Sequence, residues 1–264
     1  MSAERGSHRR LEIAHVLLVD IVGYSKLLLN EQSQILDELN AVVRNTEQVR
    51  LAQDAGALLC LPTGDGVALI FRSSPEAPAQ CALEIARALK NYPKLQRRMG
   101  IHSGPVNEVM SADDRANIAG AGINIAQRVM DCGDAGHILL SKHVAEDLES
   151  HERWRPYLHD LGEVKVKHGV SVRIVNLYTD DLGEAQVPAK IQRERDAKAI
   201  LARRARSKQR NVLIFGSLIP LAVLGLAFFL LRDRLVRRPI ETQMDAKGIA
   251  VLPFENFRDR KSVV

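Results

Sequence analysis

The stretch LLCLPTGDGVALIF, residues 58–71, decides how the chain folds. Two apolar runs flank Thr63-Gly64-Asp65-Gly66, so the segment reads as a β-hairpin with a carboxylate at its tight turn. Taken alone, Asp-Gly is ordinary hairpin chemistry and Asp65 a surface turn residue. Working outward, the apolar run from Leu11 to Val22 is interrupted by Glu12, His15 and Asp20. It predicts a strand over 12–21 and excludes a signal peptide. A short helix at 23–29 follows, then a long amphipathic helix over 33–55, ended by Gly56. Beyond the hairpin the pattern predicts a helix at 75–91 with Pro in its first turn, a strand at 98–102, a helix at 120–132 and a strand at 137–140. A helix at 142–150 and strands at 161–167 and 172–178 complete the set. The order β-α-β-β-α-β with further units predicts an α/β (α+β sandwich) fold of the ferredoxin-like kind.

The 264 residues leave room for one sizeable domain plus an appendage, and a hydrophobic fraction of 46% is ample for a core. The net charge of +5 is unevenly spread. Residues 190–238 hold 13 Lys/Arg against 3 Asp/Glu, a balance of +10 that leaves −5 for the rest. This basic cluster flanks residues 212–231, 20 residues without a charge, enough at about 1.5 Å per residue to span a bilayer. Basic residues beside an apolar span point to a membrane surface and away from a nucleic-acid partner. Nine Lys/Arg precede the span and four follow it by residue 238, so the positive-inside bias predicts a single-pass protein of the cell's inner (plasma) membrane. The large amino-terminal part is then cytoplasmic. The expected organisation is a tail at 1–11, a domain at 12–180, a basic helical linker at 181–211, a transmembrane helix at 212–231 and the start of a truncated extracytoplasmic domain at 232–264. In that last part, KGIAVLPFENF resembles the first strand of TolB-like domains. Cys60, Cys81 and Cys132 lack metal-site spacing and read as reduced thiols.

The chemistry-bearing residues fall at particular places. Asp20 closes the strand in VLLVDIVGYS, and the amides of Gly23, Tyr24 and Ser25 after it can hold phosphate at a helix start. If the two strand segments pair, Asp20 and Asp65 reach one end of a sheet. Two such carboxylates suit Mg²⁺ bridged to the phosphates of a nucleotide. In GAGINIAQRV, Asn124 and Arg128 stand at i and i+4 on one helix face, an amide that can orient a ribose and a fork for phosphate oxygens. Lys167, near a late strand turn, is a point charge for outer phosphates.

The pieces VDIVGYSKLL, TGDGVALIF, RMGIHSGPV, NIAGAGINIAQRV, AGHILLS and LGEVKVKHGVSVRIVNLY, in this order over residues 12–180, resemble the catalytic domain of class III nucleotidyl cyclases. The resemblance implies the cyclase type of βαββαβ core and two Mg²⁺ (or Mn²⁺) held by Asp20, Asp65 and the Ile21 backbone carbonyl. It further implies transition-state roles for Asn124 and Arg128, terminal phosphates on Lys167, and a head-to-tail homodimer whose sites combine residues of both subunits. The implied reaction is closure of a purine nucleoside triphosphate to its 3′,5′-cyclic monophosphate with release of pyrophosphate, for intracellular signalling.

The base-reading positions depart from the family. Adenylyl cyclases usually carry Lys four residues before the hairpin Asp and guanylyl cyclases Glu; here stands Leu61. Seven residues before the Asn, where Asp or Thr is usual, stands Asn117, whose amide can accept from adenine or donate to guanine. ATP is expected ahead of GTP on the family's habit alone. A cyclase-like nucleotide-binding regulatory module without turnover is the alternative. The signature of diguanylate cyclases is absent.

Overall fold

A computed structural model of the chain describes residues 11–110, 116–166 and 169–236, with the side chains of 108–110, 116–118, 205, 207–219 and 233–236 outside that description. The chain divides into two units, Met1–Leu201 and Ala202–Val264.

At the centre of the first unit is β1 (Leu11–Ile21), paired antiparallel with β3 (Gly66–Phe71) on one side and β4 (Arg97–Met110) on the other. Its apolar stretch from Val16 to Val19 follows from burial on both faces. Leu17, Val19 and Ile21 enter one core, while Ala14, Val16 and Leu18 enter another. The hairpin partner β2 (Leu58–Pro62) lies outside β3, and the sheet continues past β4 through β6 (Ile138–Ser141), β8 (Ser171–Leu177) and β7 (Leu158–Lys165). The order is β2-β3-β1-β4-β6-β8-β7, with β5 (Ala116–Ala119) paired to β4. The first four strands, in spatial order 2-3-1-4 with helices after β1 and β3, form the expected ferredoxin-like βαββαβ core.

The first core packs beneath α1 (Leu29–Asn45), α2 (Glu47–Asp54), α3 (Ala77–Ala88) and α5 (Lys142–Glu149). On the opposite face lies α4 (Ala121–Met130), whose Ala126 and Met130 meet Ala14, Val16, Leu18, Ala68 and Ile70. Two glycines permit these approaches. A Cβ at Gly66 would lie 1.9 Å from the Val19 carbonyl oxygen, so the hairpin can close against β1 only without one. A Cβ at Gly100 would lie 2.7 Å from the Ala126 oxygen, which is what seats α4 flat on β4.

Several expectations are corrected. The helix expected at 33–55 is two helices, α1 and α2, separated at Thr46, which is extended (ψ 146°) and donates its hydroxyl to the Val43 carbonyl at 2.8 Å. That side-chain bond offers the backbone an alternative to continuing the helix. The helix expected at 23–29 is a single 3₁₀ turn, Tyr24–Lys26. The strand at 98–102 extends over 14 residues because it pairs with β1 along its length and then with β5, which the sequence reading did not include. A 3₁₀ segment, Glu152–Tyr157, buries Trp154.

Helix α6 spans Ala189–Val236. Among the described residues no helix is long and apolar enough to cross a membrane, so the transmembrane helix expected at 212–231 is not supported by them. The side chains of 212–219 lie outside the described residues; those from Leu221 to Leu231 are exposed. The tail at 1–10 and most of the extracytoplasmic segment expected at 232–264 also lie outside.

His102 of β4 is buried against Ser141, Nδ1 to Oγ 2.7 Å, and burial pushes its imidazole down to about 4, with His143 adding to the effect. The folded chain therefore keeps His102 neutral at a pH where an unfolded chain, with an ordinary value near 6.5, takes up a proton. The contribution is constant above about pH 7 and is lost as pH falls from 6.5 toward 4, by about 3 kcal/mol in total. Urea unfolding at pH 7.5 and 4.5 is expected to show this loss in the wild type and a smaller one in His102→Gln. Equal losses in the two proteins would assign the acid sensitivity to other groups.

Candidate active site

Pairing of β1 with both neighbours concentrates charge at one end of the sheet. In register, Asp20 faces Gly66 across β3 and Arg98 across β4. The Ile21 amide donates to the Asp65 carbonyl at 3.0 Å, which fastens the hairpin turn to the end of β1. Asp20 and Asp65, 45 residues apart in the chain, are thereby neighbours. Asp20 is only 6% exposed, whereas Asp65 is exposed. Burial raises the Asp20 carboxyl above the usual carboxylate range; Arg98 opposes the rise, and Asp65 adds to it.

Arg98 donates from Nε to Asp20 Oδ2 at 2.7 Å and pairs through Nη2 with Asp131 Oδ1 at 3.5 Å. No function was given to it in the sequence reading, although it stands in the RRMGIHSG stretch. The usable signal was its place one residue before the buried β4 run, but only strand register shows that it lies opposite Asp20.

Two adjacent hard oxygen donors, one of them a buried carboxylate raised by burial and by its neighbour, are a set that a divalent cation would stabilise, and the residues fit Mg²⁺ or Mn²⁺ on that ground. After Asp20, the 3₁₀ turn leaves the amides of Gly23, Tyr24 and Ser25 without a backbone acceptor among the described residues. These amides can serve an anion, with less dipole behind them than a full helix supplies.

On α4, Asn124 is exposed and Arg128 half-buried, both on the side turned from the buried residues Gly122, Ala126, Val129 and Met130. Among the described residues, neither side chain has a hydrogen-bond or ion-pair partner, Asp20 and Asp65 included. The pair stands at i and i+4 on α4 as expected, without a bond to either carboxylate among the described residues. Leu61 on β2 is half-buried against the Ala14–Met130 cluster, on the α4 side of the sheet. Asn117 lies in β5 opposite Val109, its side chain outside the described residues, and Lys167 lies outside them altogether.

No family model and no curated protein matches the sequence. Solved structures do match. The adenylyl cyclase CyaB from P. aeruginosa is 21% identical with a TM-score of 0.53, covering 66% of this chain and 98% of its own. The guanylate cyclase domain of RhGC from Catenaria anguillulae, in complex with GTP, is 18% identical with a TM-score of 0.53, covering 66% and 100%. An adenylate/guanylate cyclase/hydrolase from Silicibacter pomeroyi is 26% identical with a TM-score of 0.50, covering 65% and 99%. The first unit thus has the fold of nucleotidyl cyclase catalytic domains, and its relatives by structure include enzymes named for each purine.

Proposed function

We propose that the first unit is a nucleotidyl cyclase that closes a purine nucleoside triphosphate to its 3′,5′-cyclic monophosphate, with ATP ahead of GTP. The observation that carries this reading is the convergence of Asp20 and Asp65 at one sheet end of a cyclase fold, with Asn124 and Arg128 presented on α4 without a side-chain partner among the described residues.

In this reading Asp20, Asp65 and the Ile21 carbonyl hold two divalent cations. When bound, the cations lower the pKa of the 3′-hydroxyl and neutralise charge on the departing pyrophosphate. The 3′-oxygen bonds to the α-phosphorus, the bond from that phosphorus to the bridging oxygen breaks, and the hydroxyl proton passes to solvent. Arg128 donates to the α-phosphate oxygens as charge builds there, and Asn124 orients the ribose. The amides of Gly23, Tyr24 and Ser25, with Lys167, hold the outer phosphates. Among the described residues Arg128 pairs with no carboxylate, and in this reading the site is completed by a second subunit in a head-to-tail homodimer.

Leu61 offers the base no hydrogen bond, and an Asn117 amide satisfies either purine by turning over, so selectivity between ATP and GTP is weak, about tenfold at most. The test is product formation by the purified full chain with Mn²⁺ and each triphosphate. The expected result is a cyclic monophosphate from both, faster from ATP. Nucleotide binding without product would favour the regulatory-module alternative. Inner-membrane anchoring through residues 212–231, with the first unit cytoplasmic, belongs to the same proposal and rests on the uncharged sequence and the exposed side chains of Leu221, Leu224 and Phe228. Reporter activity on the cytoplasmic side from a fusion after Arg238 would overturn it.

A further inference from the structure

Residues 181–210 look like a charged linker in sequence, yet the stretch entering α6 is seated on the first unit. The Gln186 carbonyl accepts from His137 Nε2 at 2.8 Å. The Ala189 amide, first in α6, donates to Asp134 Oδ2 at 2.7 Å, so a carboxylate 55 positions earlier caps this helix. Lys190 Nζ reaches the Asp131 carbonyl at 3.5 Å and Cys132 Sγ at 3.6 Å. Ile191 is 2% exposed, in a core shared with Val129 and Cys132, and Arg195 donates to the Leu161 carbonyl at 2.6 Å.

Most of these footholds lie where α4 ends, between Asp131 and His137, and the same residues lead to both parts of the candidate site. Cys132 Sγ donates back to the Arg128 carbonyl at 3.3 Å. Asp131 Oδ1 is 3.5 Å from Arg98 Nη2, and Arg98 Nε is 2.7 Å from Asp20 Oδ2. One contiguous set of bonds thus runs from the first turn of α6 to the helix bearing Arg128 and, through Arg98, to Asp20.

We propose that the foot of α6 is a brace that fixes the carboxyl-terminal end of α4, with Lys190 and Asp134 as positioning residues for Arg128 and Asp20. This rests on the reading of those two as catalytic. The glycine contacts at Gly100 and Gly104 seat α4 on the sheet, and the loop after Met130 is held between β4, through the Gly136 amide on the Arg97 carbonyl at 2.7 Å and the Met99 amide on the His137 carbonyl at 3.0 Å, and the foot, through Ala189 and Lys190. Reacting groups tolerate little displacement: about 1 Å costs about a hundredfold in rate. The foot is the first turns of α6, which continues to Val236.

The test uses the full chain carrying Lys190→Met or Asp134→Ala, which remove the donor or the cap, beside Lys190→Arg and Asp134→Asn, which keep them. Amide hydrogen exchange over residues 124–132 is expected to quicken about fivefold or more in the first pair and to stay near wild type in the second. For cyclase turnover, kcat is expected to fall about tenfold in the first pair with KM within about twofold, restored in the second. Unchanged exchange in both loss variants would overturn the brace. Faster exchange with unchanged kcat in an active protein would overturn the positioning role. Faster exchange in the loss variants, beside a wild type that makes no cyclic nucleotide, would leave the brace standing and sink the cyclase reading.

Discussion

Asp65→Ala and Arg128→Ala are each expected to lose about a hundredfold or more in cyclic nucleotide formation, and an equal mixture of the two to recover about a quarter of wild-type activity. The single losses follow from the roles proposed for a metal-holding carboxylate and for a guanidinium facing developing charge. The recovery follows from geometry. Among the described residues the Arg128 side chain has no partner and makes no bond to Asp65, and in the proposed function the site is completed by a second subunit. In a heterodimer of the variants, one site combines both intact residues and the other both defects. Random pairing makes half the dimers mixed, and one site in two is whole in each, hence the quarter. The Asp65 backbone bond to Ile21 does not depend on the side chain, so Asp65→Ala should fold and dimerise. Initial rates of the mixture against each variant alone provide the measurement. A mixture as inactive as its components, beside an active wild type, would refute the shared site.

The second large effect is a loss of activity accompanied by a gain in stability. Burial and the neighbouring Asp65 raise the Asp20 carboxyl, so the folded chain favours its protonated form more than an unfolded chain does. The stability this contributes is present below the ordinary carboxylate value of 3.8 and is lost as pH rises through the folded value. At neutral pH, without a cation, the ionised Asp20 is therefore a cost. Asp20→Asn removes the charge while its amide oxygen can still accept from Arg98 Nε. The variant is expected to melt above the wild type in chelator, to lose the wild type's stabilisation by Mn²⁺, and to turn over about a hundredfold more slowly or worse. Melting curves with and without Mn²⁺ check the first two, and product assays the third. A variant stabilised by Mn²⁺ as fully as the wild type would remove Asp20 from the metal site.

Much of the site was legible because its determinants are local. A strand that ends in Asp20, a hairpin turn that carries Asp65 and a helix with Asn124 and Arg128 at i, i+4 are set by period-2 and period-3.6 patterning and by turn chemistry. The break at Thr46 was not legible, since the surrounding apolar periodicity continues through it and a single hydroxyl bond redirects the backbone. β5 is four residues long and owes its state to pairing with β4.

The sequence by itself determined the order of most elements and the ferredoxin-like core, and it singled out the residues proposed to hold a metal and a nucleotide. Only the tertiary structure decided which of them meet. Register across β1 makes Asp20 a neighbour of Asp65 and Arg98. Packing turned an unpatterned charged stretch into the foot of α6, because its partners are a carboxylate, two backbone carbonyls and a thiol more than 30 positions away. Hydrogen bonds of that kind leave no periodicity in the chain, since each depends on where a distant backbone comes to lie once the apolar faces have been buried.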